Sequence, residues 1–172
     1  MNMGLEQEYF DVNHLCFKKH RWLFRINNII GKGVNALPPL QGGRPEVTFS
    51  PVEVNHLTEA VSFPGRPTWK PITITVYDLK NGASMHPIWE WVTQLYNPRN
   101  NSKWSFSSPQ RNSVMKTAYL DMLDGCGKPL QTWVYEGAYP EVCDFGDVDM
   151  TSSDVMTCDI TLRYHRAYLL ER

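Results

Sequence analysis

Two runs in this chain alternate apolar and polar side chains with a period of two. Ile72, Ile74 and Val76 interleave with Thr73, Thr75 and Tyr77. Met156, Cys158, Ile160, Leu162 and Tyr164 interleave with Thr157, Asp159, Thr161, Arg163 and His165. Such alternation turns one face of a strand to a core and the other to water. Residues 21–30 read as a further strand, because Trp22, Phe24 and Ile26 alternate with Leu23, Arg25 and Asn27. Residues 114–123 and 130–135 read as an antiparallel pair joined by the Gly-containing turn 124–128, and residues 138–153 as an acidic loop. One segment has the helical period instead. Ile88, Trp91, Val92, Leu95 and Tyr96 form a single apolar stripe, with Ser84 placed to cap its start, Glu90 near the positive end of its dipole and Asn97-Pro98 to stop it. So short a helix must pack its stripe on a sheet.

The chain therefore reads as mainly β, α+β by strict count, with roughly six or seven short strands in an antiparallel barrel or sandwich of two packed sheets. One short helix flanks it. At 172 residues one domain is expected. Residues 1–20 are weakly periodic and read as an arm, and residues 21–172 as the barrel domain.

The segment 45–96 departs from this regularity. After the apolar run Val47, Phe49, Val52 and Val54 comes a stretch from Asn55 to Pro71 that reads as a long protruding loop, broken by Pro64, Gly65, Pro67 and Pro71. Loops of this length inside compact domains are uncommon and are usually functional or disordered. Leu57, Val61, Phe63 and Trp69 have few obvious partners nearby. They are expected to find them on another chain, and Arg66 lies among them.

Signals for chemistry are weak. Asp147, Asp149 and Thr151 have the alternating spacing of a calcium loop, but the glycine is misplaced and Cys158 stands where a closing Glu would be needed. A solvated turn with Asx-type local bonds is the better account of that loop. The histidines, His14, His20, His56, His86 and His165, are isolated and form no metal-binding pair. No nucleophile elbow, phosphate loop or dinucleotide fingerprint is present. No catalytic residue, cofactor or metal ligand is therefore assigned. The net charge of −1 shows no overall basic field for nucleic acid, and Lys18, Lys19, His20 and Arg21 form the only basic run. No apolar run is long enough for a membrane span, and residues 1–10 lack the pattern of a secretory signal. The scattered cysteines, Cys16, Cys126, Cys143 and Cys158, are expected to be reduced, with Cys158 buried as a small hydrophobe. Disulfides between subunits stay open.

The order of these pieces resembles the tail tube proteins of contractile-tailed bacteriophages, a family shared with phage-like secretion and injection machines. Arg21-Trp22-Leu23-Phe24-Arg25-Ile26 looks like its entering strand. Val52-Glu53-Val54 through Phe63-Pro64-Gly65-Arg66 to Trp69 looks like its long hairpin loop. Trp69 to Asp78 with Ile88-Trp89-Glu90-Trp91 looks like its strand and helix, and Asp147 to Asp154 leading into Asp159 to Tyr164 looks like its last strand. The resemblance implies a non-enzymatic structural subunit. Six copies would form a ring with a continuous inner barrel. Rings would stack into a tube in the virion tail, built in the host cytoplasm, with no membrane. Sheath, baseplate and tail-terminator proteins would be its partners, and genomic DNA would pass through its lumen without sequence-specific binding. Val47, Phe49, Val52, Val54, Leu57, Val61, Phe63, Arg66 and Trp69 are the expected subunit interface. The polar faces of the long strands are candidates for the lumen. A tube initiator, a tail cap or a secretion-machine tube are alternatives within the class. A small-barrel binding protein or enzyme is the alternative outside it, and would need a deep pocket with convergent polar groups.

Overall fold

The computed structural model describes residues 17–27, 34–56, 59–99 and 114–171. Along the chain run β1 (Trp22–Asn27), β2 (Val34–Leu37), β3 (Pro39–Gly42), β4 (Val47–His56), β5 (Glu59–Trp69), β6 (Ile72–Tyr77), α1 (Met85–Leu95), β7 (Lys116–Leu123), β8 (Pro129–Asp144), β9 (Thr157–Arg163) and β10 (Arg166–Glu171). The main sheet follows the path β2-β1-β7-β8-β9-β6-β3, with β10 added on β8. Every pairing in it is antiparallel.

That path bends twice and so becomes two sheets. The first half of β8 lies between β7 and β10, where Tyr135 is opposite Ala118 and Ala167. From Tyr139 onward its partner is β9. Between these halves sits Gly137, in the left-handed region at φ 66°. A Cβ there would overlap the His165 ring. The partner strand turns at the same place: Tyr164 and His165 separate β9 from β10, and the His165 N–H donates to the Glu136 carbonyl at 3.0 Å. The second corner is Pro38, the single residue between β2 and β3. β2 pairs with β1 in the first sheet and β3 with β6 in the second. The two ends of the path are thus consecutive in the chain, and the sheets close into a small barrel.

Period-two alternation fills the space between the sheets. Ile72, Ile74 and Val76 on β6 lie opposite Leu162, Ile160 and Cys158 on β9, and all six are buried. Phe24 and Ile26 of β1 join them from the first sheet. The helix adds Ile88 and Trp91 to the same core. The Trp91 indole N–H donates to the Val114 carbonyl at 2.7 Å, so the ring is both buried and anchored. Trp91→Ala is expected to cost about 3–5 kcal/mol in urea unfolding. A loss below about 1 kcal/mol would mean that the helix is not part of the core.

Several sequence expectations are corrected. The helix is where the stripe places it, but Ser84 makes no side-chain cap. Its hydroxyl instead accepts from the Leu79 N–H at 3.1 Å and ties down the preceding turn. No acidic residue lies in the first helical turn, so Glu90 is too far along for the dipole role. The described residues contain ten strands, not six or seven. The additional ones include β2 and β3, which are four residues each and separated by Pro38. Residues 138–153 are not all acidic loop, because β8 runs on through the corner to Asp144. The long loop expected from residue 55 to 71 is mostly β5, the return arm of a hairpin. Leu57 and residues 1–16 lie outside the described residues.

Candidate functional site

The hairpin β4–β5 forms a two-stranded sheet of its own and pairs with no other described strand. Val47 is opposite Trp69, Val52 opposite Phe63 and Val54 opposite Val61. The ladder slips between Phe49 and Pro51, where Gly65 presses so closely on the Ser50 carbonyl that a Cβ would overlap it. Pro64 and Pro67 are tolerated in such a ribbon because neither strand has a second neighbour to bond among the described strands.

The base of the ribbon is fixed to the barrel. The half-buried Trp69 packs against the core, its ring centroid 5.9 Å from that of Tyr164. Lys70 donates its backbone N–H to the Glu46 carbonyl at 3.0 Å, and their side chains form an ion pair. Trp69 therefore has a partner within its own chain, contrary to the sequence expectation. Val47, opposite it, is half-buried. Beyond the base the apolar side chains are left in water. Phe49 is 57% exposed, Phe63 53% and Val52 51%, with Val54 and Val61 close behind. Arg66 is exposed on the same ribbon. Val52 with Phe63, and Val54 with Val61, are directly opposite pairs and so share a face. An isolated two-stranded hairpin is marginal in water. One that also exposes this much apolar surface has the chemistry of an interface.

The two sheets differ on their outward faces. On the second sheet Thr73, Thr75, Asp159, Thr161 and Arg163 alternate with the core residues. The Thr73 and Thr161 hydroxyls are 3.0 Å apart, and Arg163 pairs with Glu141 at 2.7 Å. This face is hydroxyl-rich with its arginine neutralised. The edges of this sheet, β3 and residues 139–144 of β8, each have one neighbour among the described strands. On the first sheet the outward side holds an ionic cluster that sequence reading missed. Asp121 is only 2% exposed. It takes the Arg25 guanidinium at 2.5 Å and the Thr132 hydroxyl at 2.7 Å, and Arg25 also lies 5.1 Å over the Tyr119 ring. Nothing local marks these residues, because the register of three strands assembles them.

The acidic loop 145–156 is anchored at its ends by Phe145, which packs on the core, and by the Met156 carbonyl, which accepts from the Asp78 N–H, and side-chain bonds shape its middle. Asp149 accepts from the backbone N–H and the hydroxyl of Thr151, both at 2.8 Å, and these bonds hold its carboxyl below the usual range. Asp144 accepts from the Gly146 N–H at 3.0 Å. Among the described residues no three His, Cys, Asp or Glu side chains converge to hold a metal, and no helix is long and apolar enough to cross a membrane. Among the described cysteines Cys126 is exposed and Cys158 buried. Burial pushes the thiols of Cys143 and Cys158 up to about 11. At pH 8 only about one in a thousand of each is the reactive thiolate. Maleimide labelling of the native protein should therefore mark Cys126 well before Cys143 or Cys158, which should label on unfolding. Equal native rates at all three, read by mass spectrometry, would contradict this packing.

No protein-family model and no curated protein matches the sequence. Solved structures do match its architecture. In the sheath–tube complex of the PVC extracellular contractile injection system in its extended state, a chain aligns with a TM-score of 0.70 and 15% identity, over 92% of this chain and 94% of that one. The cap that terminates the tube of the anti-feeding prophage aligns with a TM-score of 0.73 and 15% identity, over 99% and 100%. A chain of the anti-feeding prophage baseplate, solved with six-fold symmetrisation, aligns with a TM-score of 0.63 and 15% identity, over 91% and 97%. This is the tube-protein fold of contractile injection systems. The closed pair of sheets, the projecting hairpin and the flanking helix α1, the one helix among the described residues, match the sequence expectation.

Proposed function

We propose that this protein is a structural, non-enzymatic subunit of a contractile tail tube, acting as a ring of six copies stacked on further rings. The exposed hairpin carries this reading. It is a two-stranded ribbon fixed at its base, apolar beyond it, and unpaired with any other described strand of its own chain. A second copy can cover it and remove the cost of leaving Phe49, Val52 and Phe63 in water. Val54, Leu57, Val61 and Arg66 belong to the same contact, with Val47 and Trp69 holding it to the barrel. The free edges of the second sheet, β3 and residues 139–144, supply the remaining need. Edge-to-edge pairing around a rotational axis removes both edges and closes the ring. The six-fold symmetrised baseplate that contains a chain of this fold supports six copies.

In such a ring the Thr73, Thr75, Thr161 and Arg163 face would line the lumen. A wall of hydroxyls with its arginine neutralised by Glu141 gives few fixed cations for phosphates to bind, so a passing DNA would not adhere. Sheath, baseplate and terminator proteins are the partners of this reading, in a virion tail assembled in the host cytoplasm. The similarity to extracellular injection systems favours a second reading, in which the same tube belongs to such a machine and carries a different cargo. Full-length alignment with a tube-terminating cap favours a third, a single terminal ring. Native mass spectrometry of the purified chain should show a hexamer under all three readings. A monomer at every concentration would contradict them together. Electron microscopy of particles separates the three: many rings below a DNA-filled head, many rings without a head, or one ring at a tube end.

A further inference from the structure

Two surface features of opposite charge remain outside the hairpin and the sheet edges. The first is the loop 145–156, flanked by Asp144 and carrying Asp147, Asp149 and Asp154 with no Lys or Arg. Phe145 at its start packs against the core, but the apolar side chains beyond it point outward, with Val148 83% exposed and Met150 fully so. The loop's ends are anchored, with Phe145 on the core and the Met156 carbonyl accepting from the Asp78 N–H at 2.9 Å, and bonds from Thr151 to Asp149 and between Ser152 and Asp154 shape the tip between them. None of these aspartates has a cation within ion-pair distance among the described residues.

The second feature is a cleft of about 570 Å³ where the start of β1 and the end of β3 diverge. Trp22, Leu40, Leu120 and Met122 form its apolar part, with Lys19 and Arg44 among its lining. Arg44 lies 6.0 Å over the Phe17 ring. Neither Lys19 nor Arg44 has a carboxylate within ion-pair distance among the described residues.

We propose that the Met150 loop of one copy seats in the basic-rimmed cleft of a second copy in the next ring. This rests on the tube reading and specifies how rings stack. Charge complementarity selects the pair: aspartates that surround an apolar tip would meet Lys19 and Arg44 around an apolar floor. The loop and the cleft are different patches, so the contact is heterologous. Such a contact need not close on itself and can repeat from ring to ring, as a tube requires.

The test is a charge exchange on the full chain. Asp147→Lys with Asp149→Lys, or Lys19→Glu with Arg44→Glu, places like charges together, and each pair of changes should shorten stacks by about tenfold at physiological salt. Single rings should persist. Combining both exchanges should restore stacking. In a Cys126→Ser background, Met150→Cys with Leu40→Cys should give an oxidised ladder of linked chains that the background protein lacks. Three results would overturn the proposal. One is stack length unaffected by either exchange, with rings and tubes otherwise normal, which removes this contact and leaves the tube reading intact. A second is a disulfide that joins the two introduced cysteines within single chains, which places the loop in its own cleft. The last is an unaltered protein that never forms rings, which removes the tube reading and this contact together.

Discussion

Removing residues 51–64 and closing the ribbon with an Asn-Gly turn leaves a folded protein that no longer assembles. The described residues among them, 51–56 and 59–64, pair only with each other, and none of these belongs to the barrel core. Trp69 and the Glu46–Lys70 pair at the base stay in place. The melting temperature should therefore move by no more than a few degrees, since ordinary surface changes cost less than about 0.5 kcal/mol. Assembly should be lost outright. A milder version, Phe49→Ser with Phe63→Ser, keeps the ribbon and removes its two exposed aromatic rings. Interface aromatics that act as anchors carry about 2 kcal/mol or more each, roughly thirtyfold in affinity per ring. Sedimentation of the two variants beside the unaltered chain reads the effect. If the shortened protein still forms full tubes, the ribbon is not the interface. If it aggregates or unfolds, the ribbon is part of the fold and not an appendage to it.

The second large effect is expected at Gly137. The barrel turns its corner there with φ at 66°, a conformation that costs a residue with a Cβ about 1–2 kcal/mol. A side chain would also strike the His165 ring, and forcing atoms into packed space typically adds about 1–3 kcal/mol. Gly137→Val should therefore lower the unfolding free energy by several kcal/mol. Gly137→Ala with His165→Ala relieves the clash but not the backbone strain, so it should recover only part of the loss. Full recovery would show that the corner does not need left-handed backbone. An unperturbed Gly137→Val would show that β8 does not pass from one sheet to the other at this point.

The legible parts of the fold were those whose signal is local. Ile72 to Tyr77 and the strand containing Cys158, Ile160 and Leu162 could be read because one face is wholly buried and the other is not. The stripe of Ile88, Trp91 and Leu95 could be read for the same reason at the helical period. β5 was hidden by Pro64, Gly65 and Pro67, which break a ladder with neighbours on both sides but not a free ribbon. The second half of β8 was hidden by Gly137, which reads as a stop and acts as a corner. β2 and β3 are too short for any period to show. On the ribbon that we propose as the assembly surface, Val61 and Phe63 could be read as residues without nearby partners, and both are exposed. Trp69 was misjudged because its partner Tyr164 lies at the far end of the chain. The Asp121, Arg25 and Thr132 cluster was invisible because it exists only once β1, β7 and β8 are in register.

Electron cryomicroscopy of the assembled protein tests the account most directly. A stack of rings is predicted, each of six copies, with an inner wall continuous from subunit to subunit through β3 and residues 139–144. Thr73, Thr161 and Arg163 should face the lumen, and the β4–β5 ribbon should be buried against a neighbouring copy. A protein that remains single, or an assembly that leaves the ribbon in solvent with this face turned outward, would contradict it.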